Sequence, residues 1–255
     1  MANIFLIGGG GDQPQTWADT YGRFLTAAGA EKARLALIVV GVTAGDADQI
    51  FAYYQHIFNE LGLPTDQILK MALTEGHSLD AQALAALAAM DASGVCVCAT
   101  STPLCQQALC QDLEWVRWLQ EKDLPYCGVS SGAVVAGDRA VVGGWRVTVD
   151  GEKHPIQAHW ASEGLDELEV RPGLGLAPFA IECHAGQWGN LTRLIHAVAM
   201  ELVDVSWAID EDTLLEIGER GFFTNGLGHT YRLQIHHMGR VEVSLFRNGG
   251  GIMRG

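Results

Sequence analysis

A chain of 255 residues, 48% of them apolar, is long enough to bury one sizeable α/β core and has an ordinary globular composition. Its formal net charge of -14, with 16 lysines and arginines in all, argues against a nucleic-acid partner, because a phosphate backbone is held by clustered cations. Apolar runs fall short of a membrane span, even over residues 81–90, so no membrane association is expected, and the first residues have no basic region ahead of their apolar stretch, so they read as a strand and not as a signal peptide.

Residues 4–7 form that strand, and Gly8-Gly9-Gly10-Gly11-Asp12 follows it. Counting from Gly8 and Gly10, Gln13 stands where the third glycine of a dinucleotide fingerprint belongs. No nucleotide cofactor is expected, and the loop, Gly10 included, reads as lining a substrate crevice. Residues 17–28 carry Trp17, Tyr21, Phe24, Leu25 and Ala28 at helical spacing, with Gly29 as the stop. Leu35-Ala36-Leu37-Ile38-Val39-Val40 is a continuous apolar run, the pattern of a parallel strand buried on both faces. A helix over 46–61, a strand over 68–72, a helix over 79–90 and a strand over 94–99 continue the alternation. The small polar turn Thr100-Ser101-Thr102-Pro103 then leads into a helix over 103–120. This order predicts a single α/β domain with a three-layer, doubly wound, mostly parallel sheet.

The stretch with the most chemistry in it is Leu124-Pro125-Tyr126-Cys127-Gly128-Val129-Ser130-Ser131-Gly132-Ala133. Gly-x-Ser-x-Gly between a short apolar strand and a run of small residues is the pattern of a nucleophile elbow. Glycines at 128 and 132 let strand and helix approach while Ser130 projects outward, and the amide of Ser131 would face a developing oxyanion. Ser130 is therefore the candidate nucleophile.

Beyond residue 141 the pattern changes. Residues 145–149 read as a strand, Asp150-Gly151 as a hairpin turn, and 179–184 as a short strand ending in His184. A helix over 187–201 follows, then strands over 205–209 and 213–217, read as a pair around an acidic turn. Antiparallel edge strands run to residue 246, before a frayed Gly249-Gly250-Gly251 terminus. The six cysteines, Cys96, Cys98, Cys105, Cys110, Cys127 and Cys183, read as reduced thiols of a cytoplasmic protein. Cys96-x-Cys98 has strand alternation and lacks partners at metal-site spacing, so no metal site is expected.

Three stretches together resemble one family, the serine peptidases that include cyanophycinase and the aspartyl dipeptidase peptidase E. They are Gly128-Val129-Ser130-Ser131-Gly132-Ala133, then Gly173-Leu174-Gly175-Leu176 with Glu182-Cys183-His184, and Ala208-Ile209-Asp210-Glu211-Asp212-Thr213. The resemblance implies a class I glutamine-amidotransferase-like fold, a homodimer, no cofactor, and hydrolysis of a peptide or isopeptide bond in a small peptide through an acyl-enzyme. It implies Ser130 as nucleophile, His184 as base and Glu211 as the orienting acid, with Asp150 or Glu152 as the alternative acid. Substrate contacts are then expected at Gly10, Thr100, Ser101, Ser131, Glu182 and Gln187. The chain departs from the family where Thr100-Ser101-Thr102-Pro103 replaces a Gly-Gly-x-Gln turn, and where Trp188 and Asn190 stand in place of arginines while Arg193 is kept. With fewer planar donors to grip a carboxylate, selectivity for an acidic residue is expected to shift.

Two other readings stay open on the sequence. An α/β-hydrolase esterase would share the elbow and draw its histidine from His229, His236 or His237. A relative that has lost hydrolysis would use the same crevice to bind a ligand.

Overall fold

The computed structural model describes residues 3–236 and 240–253. Strands and helices alternate through the first part of the chain: β1 (Ile4–Ile7), α1 (Tyr21–Ala27), β2 (Leu35–Gly41), α2 (Ala44–Glu60), β3 (Ile68–Thr74), α3 (Ala81–Ala89), β4 (Gly94–Ala99), α4 (Thr102–Leu109), α5 (Glu114–Glu121), β5 (Tyr126–Val129) and α6 (Ser131–Val135). Strands dominate the rest: β6 (Arg139–Gly143), β7 (Arg146–Val149), β8 (Glu152–Pro155), β9 (Glu169–Pro172), β10 (Ala180–Glu182), α7 (Asn190–Ala199), β11 (Val205–Ile209), β12 (Thr213–Gly218), β13 (Gly221–Gly226), β14 (Thr230–His236), β15 (Arg240–Phe246) and β16 (Gly251–Met253).

Among the described residues the larger sheet has eight strands in the order β16-β13-β12-β1-β5-β4-β2-β3. Its five strands from the first half run parallel, and β12, β13 and β16 extend the β1 edge antiparallel. The apolar run of β2 shows why this sheet is central: all seven residues are buried, and the first six divide by parity between two cores. Leu35, Leu37 and Val39 pack with Phe24 and Phe58 of α1 and α2, whereas Ala36, Ile38 and Val40 pack on the opposite face with Leu109, Trp115 and Val135 of α4, α5 and α6. At about 1.5–3 kcal/mol for each large aliphatic side chain taken out of water, such two-sided strands carry much of the drive to fold.

Departures from the sequence expectation have local causes. The helix expected over 103–120 is two helices, because the indole N–H of Trp115 donates to the carbonyl of Leu109 at 2.9 Å and Asp112 accepts the amide of Glu114 at 2.9 Å, ending one helix and starting the next. Strands β11 and β12 are not a pair. They belong to different sheets: β11 lies in a six-stranded sheet ordered β15-β14-β11-β10-β6-β9, while β12 pairs with β1 and β13. A second sheet was not legible in the sequence, since its strands have the same alternation as an extension of the first. The glycine-rich tail is not frayed either, for β16 pairs antiparallel with β13 through Gly221–Met253, Phe222–Ile252 and Phe223–Gly251.

Candidate active site

The site lies at the carboxyl ends of β1 and β5 from one sheet and of β10 and β11 from the other, where their loops meet. Ser130 follows β5 with φ 53° and ψ -114°, a strained conformation for a residue with a side chain. The strain is held from both sides: its amide donates to the carbonyl of Ile7 at 2.9 Å, and α6 begins at the next residue. Glycine at 132 is dictated by close approach, because a Cβ there would collide with the carbonyl oxygen of Val97 on β4.

His184 lies near the start of the loop after β10, also in the left-handed region at φ 51°, with its amide donating to the carbonyl of Gly8 at 3.0 Å. Its Nε2 lies 2.8 Å from Ser130 Oγ and its Nδ1 lies 2.7 Å from Glu211 Oε1. A carboxylate at Nδ1 makes that nitrogen the donor and leaves Nε2 to accept the serine hydroxyl. Burial pushes the His184 pKa below its ordinary value, and the hydrogen bond and charge of Glu211 pull the other way. The indole of Trp188 covers one face of the imidazole, stacked with centroids 3.9 Å apart and planes 10° from parallel.

Gly9 explains part of the glycine run. At φ 102° it sits where a Cβ would collide with Cε1 of the His184 ring. Gly9→Ala is therefore expected to displace the imidazole from Ser130 and to slow modification of that serine by a fluorophosphonate roughly a hundredfold, the scale of a 1 Å misplacement of reacting groups. Labelling at the native rate, on a chain whose circular dichroism is unchanged, would overturn this account of the glycine.

The acidic turn between β11 and β12 divides three carboxylates among three tasks. Glu211 meets His184, and its amide donates to Gln187 Oε1 at 3.0 Å. Asp210, 4% exposed, accepts the amides of Gly186 at 2.9 Å and His229 at 3.0 Å, tying the loop that carries His184 to the start of β14. Asp212 accepts the amide of Gly11 at 2.8 Å and anchors the glycine loop, with its pKa raised by burial.

The structure sorts the expected residues. Ser130, His184 and Glu211 come together, and Gly10 is half-buried in the loop beside them. Thr100 is exposed at the end of β4, its amide donating to Val40, and Ser101 is the residue at which α4 begins. Ser131 is only 3% exposed, and its Oγ accepts from Thr102 at 3.2 Å, so its side chain packs inward as a helix-start residue. The expectation of a substrate contact at Glu182 is corrected: it is 1% exposed and held by Arg193, Nε to Oε2 at 2.8 Å and Nη2 to Oε1 at 3.1 Å. Gln187 is exposed beside the site, its side-chain oxygen accepting the Glu211 amide at 3.0 Å. The alternative acids Asp150 and Glu152 lie exposed in the β7–β8 hairpin. Of the alternative histidines, His229 meets Asp210 at 3.3 Å, His236 ends β14, and His237 lies outside the described residues. The serine is thus paired with His184 and not with a histidine of the esterase arrangement.

Asp210, Gly9 and the Trp188 stack were not anticipated. Trp188 was visible only as a departure where an arginine was expected, and the role of Asp210 was hidden beside Glu211 in one acidic run. Among the described residues, no group of three or more His, Cys, Asp or Glu side chains is placed to hold a metal ion, and no helix is long and apolar enough to cross a membrane.

This architecture recurs in solved structures. A peptidase from an acI-B1 Actinobacterium superposes with a TM-score of 0.68 at 13% identity, covering 100% of this chain and 97% of that one. A protein from Listeria monocytogenes EGD-e assigned to peptidase E superposes with a TM-score of 0.52 at 14% identity, covering 89% of this chain and 100% of that one. No family model and no curated protein matches the sequence. At such identities the likeness is one of fold, a mixed α/β arrangement around a large, mostly parallel sheet, consistent with the class I glutamine-amidotransferase-like fold that the sequence led one to expect.

Proposed function

We propose that the chain is a serine peptidase of the cyanophycinase and peptidase E group, cleaving a peptide or isopeptide bond in a small peptide through an acyl-enzyme. The observation that carries the proposal is the strained Ser130 with its Oγ 2.8 Å from His184 Nε2, continued by Glu211 at Nδ1. In this reading Ser130 Oγ attacks the substrate carbonyl as Nε2 takes its proton, and His184 later hands that proton to the leaving amine. Glu211 keeps the imidazole in the tautomer that accepts at Nε2 and stabilises the imidazolium that forms. The amide of Ser131, first in α6 and directly after the nucleophile, is placed as the oxyanion donor of an elbow. Water then repeats the attack on the ester with His184 as base, releasing the acid and restoring Ser130.

The substrate class follows the family with one change. Arg193, the kept family arginine, is 1% exposed and spends its guanidinium on Glu182 and on the carbonyl of Ala161 at 3.0 Å, so it does not read a substrate carboxylate. An acidic side chain next to the scissile bond is accordingly not the preferred one.

The test is intact-mass labelling of the native chain with a fluorophosphonate, followed by peptide mapping across a pH series. One adduct on Ser130 is expected. Because only neutral His184 is a base and burial favours its neutral form, the labelling rate should rise with pH and level off with a midpoint below the ordinary histidine range. Absence of an adduct on the folded chain would move the reading to a binding relative without hydrolysis.

A further inference from the structure

Trp188 sits four residues after His184, and its amide donates to the His184 carbonyl at 3.0 Å. One closed turn of backbone thus brings the indole over the imidazole, where the two rings lie 3.9 Å apart and nearly parallel. Trp160 meets the same indole edge-on, with centroids 5.7 Å apart and planes at 64°, and braces it. A stack this flat presents the negative face of an indole to a ring that becomes cationic each time it takes the serine proton.

We propose that Trp188 is a positioning residue for His184, holding the imidazole plane in line with Ser130 and stabilising the imidazolium through its indole face. The proposal rests on Ser130 and His184 acting as nucleophile and base. It accounts for a site that otherwise disfavours a cation, since the imidazole is buried and Arg193 lies near enough to oppose its charge. Glu211 and Glu182 favour the imidazolium from the turn after β11 and from β10, and the uncharged hydroxyl of Ser130 faces Nε2. Trp188 adds an attraction from a face of the ring, out of the plane in which Glu211 is hydrogen-bonded. It stands where the family resemblance leads one to expect arginine, a side chain that would repel the imidazolium instead.

The experiment compares the native chain with Trp188→Leu and Trp188→Phe by two readouts: the rate of Ser130 modification by a fluorophosphonate across pH, and the titration of the His184 ring by NMR. Leucine keeps apolar cover and removes the ring face. Its labelling plateau is expected to fall roughly tenfold, the scale of one desolvated cation–π contact, and both midpoints should move to lower pH. Phenylalanine should restore most of the rate and most of the midpoint. A leucine variant with the native plateau and native midpoints would overturn the proposal, as would a phenylalanine variant no better than leucine. If the native chain takes no adduct, the peptidase reading fails separately, and an unmoved His184 titration in Trp188→Leu would then sink the present proposal by itself.

Discussion

Ser130→Ala and His184→Ala are each expected to lower hydrolysis by several orders of magnitude, up to about 10⁶ where the serine and the base act as one unit. The fluorophosphonate adduct should fall below detection in both. The reason is the chain of bonds from Ser130 Oγ through both nitrogens of His184 to Glu211, in which removing either the proposed nucleophile or the proposed base leaves the partner without a task. The double variant should lose nothing more than the worse single one, since the effects are not additive. Catalysis above the uncatalysed rate would survive only through the Ser131 amide and substrate binding. The neighbouring Ser131 offers a sharp control: its Oγ is buried and bonded to Thr102, so it should not substitute for Ser130. An adduct on Ser131 in the Ser130→Ala chain, or full labelling of His184→Ala, would contradict the assignment.

The largest stability effect is expected at Arg193. Its side chain and that of Glu182 are 2% and 1% exposed, and the bidentate contact between them has no water to replace a lost partner. Arg193→Ala leaves a buried carboxylate uncompensated and is expected to cost about 3–5 kcal/mol. For a domain of this size that lowers the melting temperature by roughly 6–20 °C. The pair also braces the site, for Glu182 immediately precedes Cys183 and accepts its amide at 3.1 Å, while Arg193 reaches the carbonyl of Ala161 at the foot of the loop that carries Trp160. Replacing both partners with leucine should recover much of the lost stability, because an apolar pair needs no counter-charge. A melting point for Arg193→Ala within a couple of degrees of the native one would show that the carboxylate finds another partner.

Much of this was legible in the sequence, and the limits have physical causes. The strand β4 over residues 94–99 and the site after β5 were readable because two-sided burial forces unbroken apolar runs and an elbow forces small residues around its serine. His184 and Glu211 were reachable only through family resemblance, since a histidine at a strand end and an acid in a turn carry no local signature of their meeting. Glu182 was misread because polarity near a site does not say which way a side chain faces. Glu182 turned inward because Arg193, eleven residues later on α7, came back over the end of β10. The split between β11 and β12 was invisible because alternation reports which face is buried, not which sheet a strand joins.

The division of labour between the two sheets bears on how small this machine could be made. Ser130 and the Gly8-Gly9-Gly10 loop leave strands of the larger sheet, His184 leaves a strand of the smaller one, and Glu211 sits on the short link that passes from one to the other. Ser130 and His184, the proposed nucleophile and base, are therefore never neighbours within one layer. They meet only across a seam. A fragment that keeps either sheet alone retains half of the Ser130–His184 couple, so under the proposed mechanism the smallest competent unit contains both sheets and the acidic link that splices them.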